Sequence, residues 1–140
     1  MPVDYTNNAY DKVISNLRKT LGGELKTAIY LDEHKGSNSI LITLEEDTLL
    51  EVLANAQQRQ YTINIQYQLN VGGLMNAKHF KQVSNMAEHI KKLFAPDQNS
   101  LDGTDYFGGR VETITYEKLE DESKFIANIT LTLKELETWR

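Results

Sequence analysis

The stretch Tyr61-Thr62-Ile63-Asn64-Ile65-Gln66-Tyr67-Gln68-Leu69 alternates apolar and polar side chains without a break. A repeat of two is the repeat of a β-strand, whose successive side chains point to opposite faces. Tyr61, Ile63, Ile65, Tyr67 and Leu69 therefore share a face that seeks burial, and Thr62, Asn64, Gln66 and Gln68 share one that tolerates water. Such a strand needs a second layer over its apolar face only. The sequence on either side offers that layer.

Upstream, Tyr10, Val13, Ile14, Leu17 and Leu21 recur at helical spacing and predict a helix over about Asn8–Leu21. Asn7 or Asn8 can cap it, Asp11 suits the positive end of its dipole, Arg18 and Lys19 suit the other end, and Gly22-Gly23 is expected to stop it. Downstream, Phe80, Val83, Met86, Ala87, Ile90, Leu93 and Phe94 form one stripe of a second helix over Ala77–Phe94. Asn76 is its cap, and Ala95-Pro96 is expected to end it, because the residue before proline resists helical geometry.

The remaining elements are strands. Lys26–Leu31 is a short one and Ser39–Leu44 a β-rich one, separated by a polar loop over Asp32–Asn38. Glu45–Arg59 is ambiguous: Leu49, Leu50, Val52 and Leu53 suit a short helix or an irregular connection. Arg110–Tyr116 and Phe125–Leu133 form a hairpin turning through Glu120–Ser123, and 97–105 reads as a flexible loop. The order is α-β-β-β-α-β-β within one domain, residues 1–140. The expected fold class is α+β: two layers, with a mixed or antiparallel sheet of about five strands and two main helices packed on one face. The other face of the sheet is then rich in Thr, Asn and Gln.

Composition narrows the functional classes. The chain is 40% hydrophobic and 25% charged, the balance of a soluble globular domain. It has no cysteine, which excludes disulfides and thiolate chemistry. No apolar run approaches the roughly 20 residues that span a bilayer, and the first residues lack the pattern of a signal peptide. The formal charge of −5 argues against coating DNA or a membrane surface. The acid is clustered, as Glu45, Glu46, Asp47 and Glu51, and as Glu117, Glu120, Asp121 and Glu122. Either both clusters are solvated loops or they form a surface that repels polyanions.

No constellation suited to catalysis stands out. His79 and His89 share a helix but lie about 15 Å apart along its axis, too far to ligate one metal. His34 follows Asp32 and Glu33 on a loop, and all three histidines are expected to be solvated. Gly72-Gly73 lies between a strand and a helix without the lysine of a phosphate loop, and Gly108-Gly109 has no such setting. Turns needing positive φ explain both pairs. The lysines of the second helix lack interleaved aromatics, so they read as a solvated face.

The chain resembles the tail terminator, or tail-completion, proteins of long-tailed bacteriophages. The similar parts are Ile14-Ser15-Asn16-Leu17 in the first helix, Ser39–Leu44 running into Glu45-Glu46, and Gln58-Arg59-Gln60-Tyr61 leading into the alternating strand. The helix over Phe80–Phe94 and the closing hairpin complete a likeness from about Asn8 to Leu136, carried by element order and residue style. The resemblance implies a virion protein of the tail and neck, assembled in the host cytoplasm, with no catalytic residues and no cofactor. Its subunits are expected to form a homo-oligomeric ring, typically a hexamer. That ring caps the major tail tube protein and docks a head-completion or connector protein, with no membrane contact. Genomic DNA passes through the lumen without specific binding, and Glu45, Glu46, Asp47, Glu120, Asp121 and Glu122 are candidates for an acidic lumen or assembly surface. Two alternatives stay open: another neck protein, or a small α+β enzyme or ligand-binding domain with a pocket under the second helix and His34 among its polar groups.

Overall fold

The computed structural model describes residues 7–73, 76–94 and 106–138. A five-stranded mixed sheet carries two helices, in an α+β architecture. The expected loop over 97–105 and the Ala95-Pro96 stop lie outside the described residues.

The alternating stretch is the centre of β3 (Ala56–Asn70), which lies in the middle of the sheet. Tyr61, Ile63, Ile65 and Tyr67 are at most 1% exposed, while each residue between them is half-buried. β2 (Asn38–Val52) and β5 (Lys124–Thr138) flank it, both antiparallel to it. β4 (Tyr106–Leu119) pairs antiparallel with β5 at one edge, and β1 (Ala28–Tyr30) runs parallel to β2 at the other. The sheet order is thus β1-β2-β3-β5-β4.

The ambiguous stretch Glu45–Arg59 resolves as strand. β2 continues through Glu45-Glu46-Asp47 to Val52, turns at 53–55 and returns as β3, with no helix at Leu49–Leu53. Two irregularities in the pairing, between Leu44 and Glu46 and between Leu49 and Glu51, break the alternation that would have marked a strand in the sequence. A third, between Phe107 and Arg110, holds Gly108-Gly109 inside β4, where a turn had been expected. Gly72 does adopt the positive φ foreseen for it, +65°, at the exit of β3.

The first helical segment begins as a π-helix, Asn8–Ile14, and continues as α1 (Ser15–Glu24). The Asn7 carboxamide accepts from the backbone N–H of Tyr10 at 3.0 Å, so Asn7 is the cap. Gly22 and Gly23 do not stop the helix; it runs through them, and the chain turns extended at Leu25. Tyr10 is 51% exposed, unlike the rest of its predicted stripe, because a π-helical turn does not keep the 3.6-residue phase. α2 (Ala77–Leu93) starts at Asn76, whose side chain accepts from the N–H of Lys78 and of His79. His79 completes a capping box by accepting the N–H of Asn76 on its Nδ1 at 3.3 Å.

Both helices cover the same sheet face. One buried cluster joins Val13, Ile14, Leu17 and Leu21 to Val83, Ala87, Ile90 and Phe94 across the inward residues of β2, β3 and β5. Each fully buried aliphatic there stabilises the fold by about 1.5–3 kcal/mol. The opposite face has no helix over it among the described residues.

Candidate functional site

The helix-free sheet face is where the predicted polar residues gather. Register places Gln60, Thr62, Asn64, Gln66 and Gln68 of β3 beside Lys134, Thr132, Thr130, Asn128 and Ile126 of β5. Across this face runs a chain of side-chain hydrogen bonds. The Glu117 carboxylate on β4 accepts from the Asn128 amide at 3.2 Å, and the Asn128 carbonyl accepts from the Gln66 amide at 2.8 Å. The Gln66 carbonyl faces His34 Nε2 at 2.8 Å, and His34 Nδ1 faces the Ser39 hydroxyl at 2.6 Å.

The direction of this chain follows from its carboxylate end. A carboxylate only accepts, so Asn128 turns its NH2 toward Glu117, and each amide after it is oriented in turn. His34 then donates from Nε2, and its Nδ1 accepts from Ser39, which is fully buried. His34 is therefore not a solvated loop histidine; it ties the loop before β2 to the sheet. It also lies on the face opposite α2, so it cannot line a pocket under that helix. His79 likewise has a structural duty, at the cap of α2, and only His89 is an exposed side chain of the expected kind.

The acidic candidates divide into separate places. Glu45 and Glu46 lie at the first irregularity of β2, exposed, with Glu46 accepting from Thr48 at 2.7 Å on the helix-free face. Asp47 pairs in register with Tyr61, so it points to the helix-bearing face, where Arg59 Nε reaches it at 2.6 Å. Glu120, Asp121 and Glu122 form the 3-10 turn between β4 and β5, where Lys118 lies 3.2 Å from Glu120 and Lys124 3.7 Å from Glu122. Strand rise and spacing separate the two groups by about 27 Å along the sheet and about 14 Å across it. Within one subunit they do not form a single site. The first is not a loop cluster, since it sits on a strand, whereas the second is an exposed turn as the solvated-loop reading expects.

Beyond the helices, the hairpin end of the core closes with polar groups. Tyr61 donates its hydroxyl to Glu137, Gln57 donates to the other Glu137 oxygen at 2.9 Å, and Arg59 donates to Gln57 at 3.2 Å. Burial first, and the Glu137 carboxylate second, push the Tyr61 phenol above its ordinary value. Burial raises Tyr67 as well. The backbone N–H groups of Glu33 and of Asp32 itself hold the exposed Asp32 carboxyl below its ordinary value. Among the described residues no three His, Asp or Glu converge to hold a metal ion, and no helix is long and apolar enough to cross a membrane. A shallow open depression lies over Lys118–Glu122 at the β4–β5 turn.

No family model matches the chain, and no curated protein matches it. Solved structures do. One is a chain in the virion of a native gene transfer agent particle, superposing with a TM-score of 0.57 at 12% identity over 89% of this chain and 91% of that one. The chain shares its fold with a component of a virion. At that identity the likeness is one of fold, and it extends over nearly the whole of both chains.

The reading of the sequence alone missed His34, Ser39, Gln66, Asn128 and Glu117 as a connected set. The polar half of the alternation in β3 was the available signal for Gln66; the partner strands and the loop entered it only through register.

Proposed function

We propose that this protein is a structural component of a virion, a ring-forming tail terminator that caps the tail tube at the head–tail junction. The observation that carries this reading is the shared fold with a virion chain, over 89% of one and 91% of the other. The resemblance in element order to tail-completion proteins supports the finer assignment. In this reading the protein carries out no chemical step. It holds copies of itself, the tail tube and a neck protein, while DNA passes through the ring. Glu46 lies on the helix-free face and would repel the phosphate backbone if that face lines the lumen. Asp47 does not share it and is neutralised by Arg59.

The test is the state of the purified chain. Native mass spectrometry and negative-stain microscopy are expected to find closed rings, and added tail tubes are expected to acquire a ring at one end. A chain that stays monomeric at high concentration and ignores tail tubes overturns the assignment. Immunogold labelling on the head side of the neck, away from the tube end, would reassign it as a head-closure or connector component.

A further inference from the structure

Of the large apolar side chains that remain exposed, Leu49, Leu50, Val52 and Leu53 fall in one short run, 42–63% exposed. Two more, Phe80 at 46% and Tyr116 at 38%, pack against each other with ring centroids 5.5 Å apart and planes tilted by 48°. The two patches occupy different margins of the sheet. The leucine-rich one ends β2, where β1 pairs only with Ser39, Ile40 and Leu41, so the outer edge beyond Leu41 has no strand partner among the described residues. The aromatic one sits where the start of α2 meets β4, the opposite edge strand. Exposed apolar side chains on an open strand edge are association points.

Charge distinguishes the patches in a complementary way. Exposed acids Glu45, Glu46 and Glu51 surround the leucine-rich end. Exposed Lys81, one position on from Phe80, and Lys118, two positions on from Tyr116, stand near the aromatic pair, with the acidic turn Glu120–Glu122 beyond Lys118. Lys118 is shared with Glu120 at 3.2 Å, while Lys81 has no ion pair among the described residues. Two different apolar patches on opposite margins, one beside exposed acids and the other beside Lys81, suit a heterologous contact that repeats head to tail, and such a contact builds a ring where its rotation closes.

We propose that the end of the β2–β3 hairpin of one copy, through Leu50 and Val52, docks on the Phe80–Tyr116 pair of a second copy, with Glu51 meeting Lys81. This rests on the ring reading above and names the surfaces that build the ring. The patches lie about 30 Å apart along the strands and about 14 Å across them. The strands of each copy are then steeply inclined to the ring axis.

The test uses the full chain and two variants at exposed positions, L50D/V52D on the hairpin and Y116D/K81E on the platform. Circular dichroism first establishes that both fold. By native mass spectrometry each variant alone is expected to stay monomeric at concentrations about tenfold above those at which the unaltered chain assembles, a loss of about 1.4 kcal/mol or more per contact. Mixed in equal amounts they are expected to form a heterodimer and nothing larger, because one intact pair of patches remains. Assembly of the unaltered chain is expected to weaken with salt. Glu51→Lys should impair it, and Lys81→Glu in the same chain should restore it. Variants that assemble like the unaltered chain, or a mixture that stays monomeric, overturn this contact and leave the ring reading standing. An unaltered chain that never self-associates overturns both.

Discussion

At the scale of single residues, position on the sheet decides what a side chain does. His34 lies between Ser39 and Gln66, so removing its ring strands a fully buried hydroxyl. His34→Ala is expected to cost about 1–3 kcal/mol, the penalty of a buried polar group that loses its partner. Urea unfolding checks it, and His34→Gln should recover part of the loss. Tyr61 and Tyr67 give a second prediction. Both phenols are raised in the folded state, chiefly by burial. The unfolded chain then ionises first, and the native state holds more protons. Stability is present below an ordinary tyrosine value of about 10 and falls as pH rises beyond it, each tyrosine contributing at most about 1.4 kcal/mol per pH unit. Urea melts between about pH 8 and pH 11 should show that decline, and the combined Tyr61→Phe and Tyr67→Phe variant should flatten it.

At the scale of elements, the departures from expectation have local causes. α1 passes through Gly22 and Gly23 because Leu17 and Leu21 are anchored in the core and hold the last turn, overriding glycine's weak helical preference. A methyl group at Gly23 meets nothing within 4 Å, and its φ is not positive. Gly23→Ala is therefore expected to stabilise the protein by about 0.5 kcal/mol, raising its thermal midpoint. α2 was legible to the residue at its start, because the Asn76 cap is a local signal. The far half of β2 was not. Pairing irregularities at Leu44/Glu46 and Leu49/Glu51 shift the phase of its side chains twice, so no simple period survives there.

At the scale of the whole molecule, one core serves both helices, while the hairpin end stands clear of it. Ile65 is fully buried in the central strand. Ile65→Ala is expected to lower unfolding free energy by about 2–5 kcal/mol, read as an earlier urea midpoint. The exposed Leu50 and Val52 should tolerate polar replacement within about 0.5 kcal/mol, so any defect of L50D/V52D in assembly is separable from folding. The contrast divides the chain into a part that holds its shape and a part open to other molecules.

The alternation at Tyr61–Leu69 and the stripes of the two helices determined the two-layer fold from sequence alone, because periodicity is a local property that burial must satisfy. Tertiary structure alone decided the rest. Strand register joined His34 to Glu117 through residues distant in the chain and turned Asp47 away from Glu46. It also set the two exposed patches at opposite margins of one sheet. Which residues meet across strands depends on pairing between distant segments, and no short window of sequence records it.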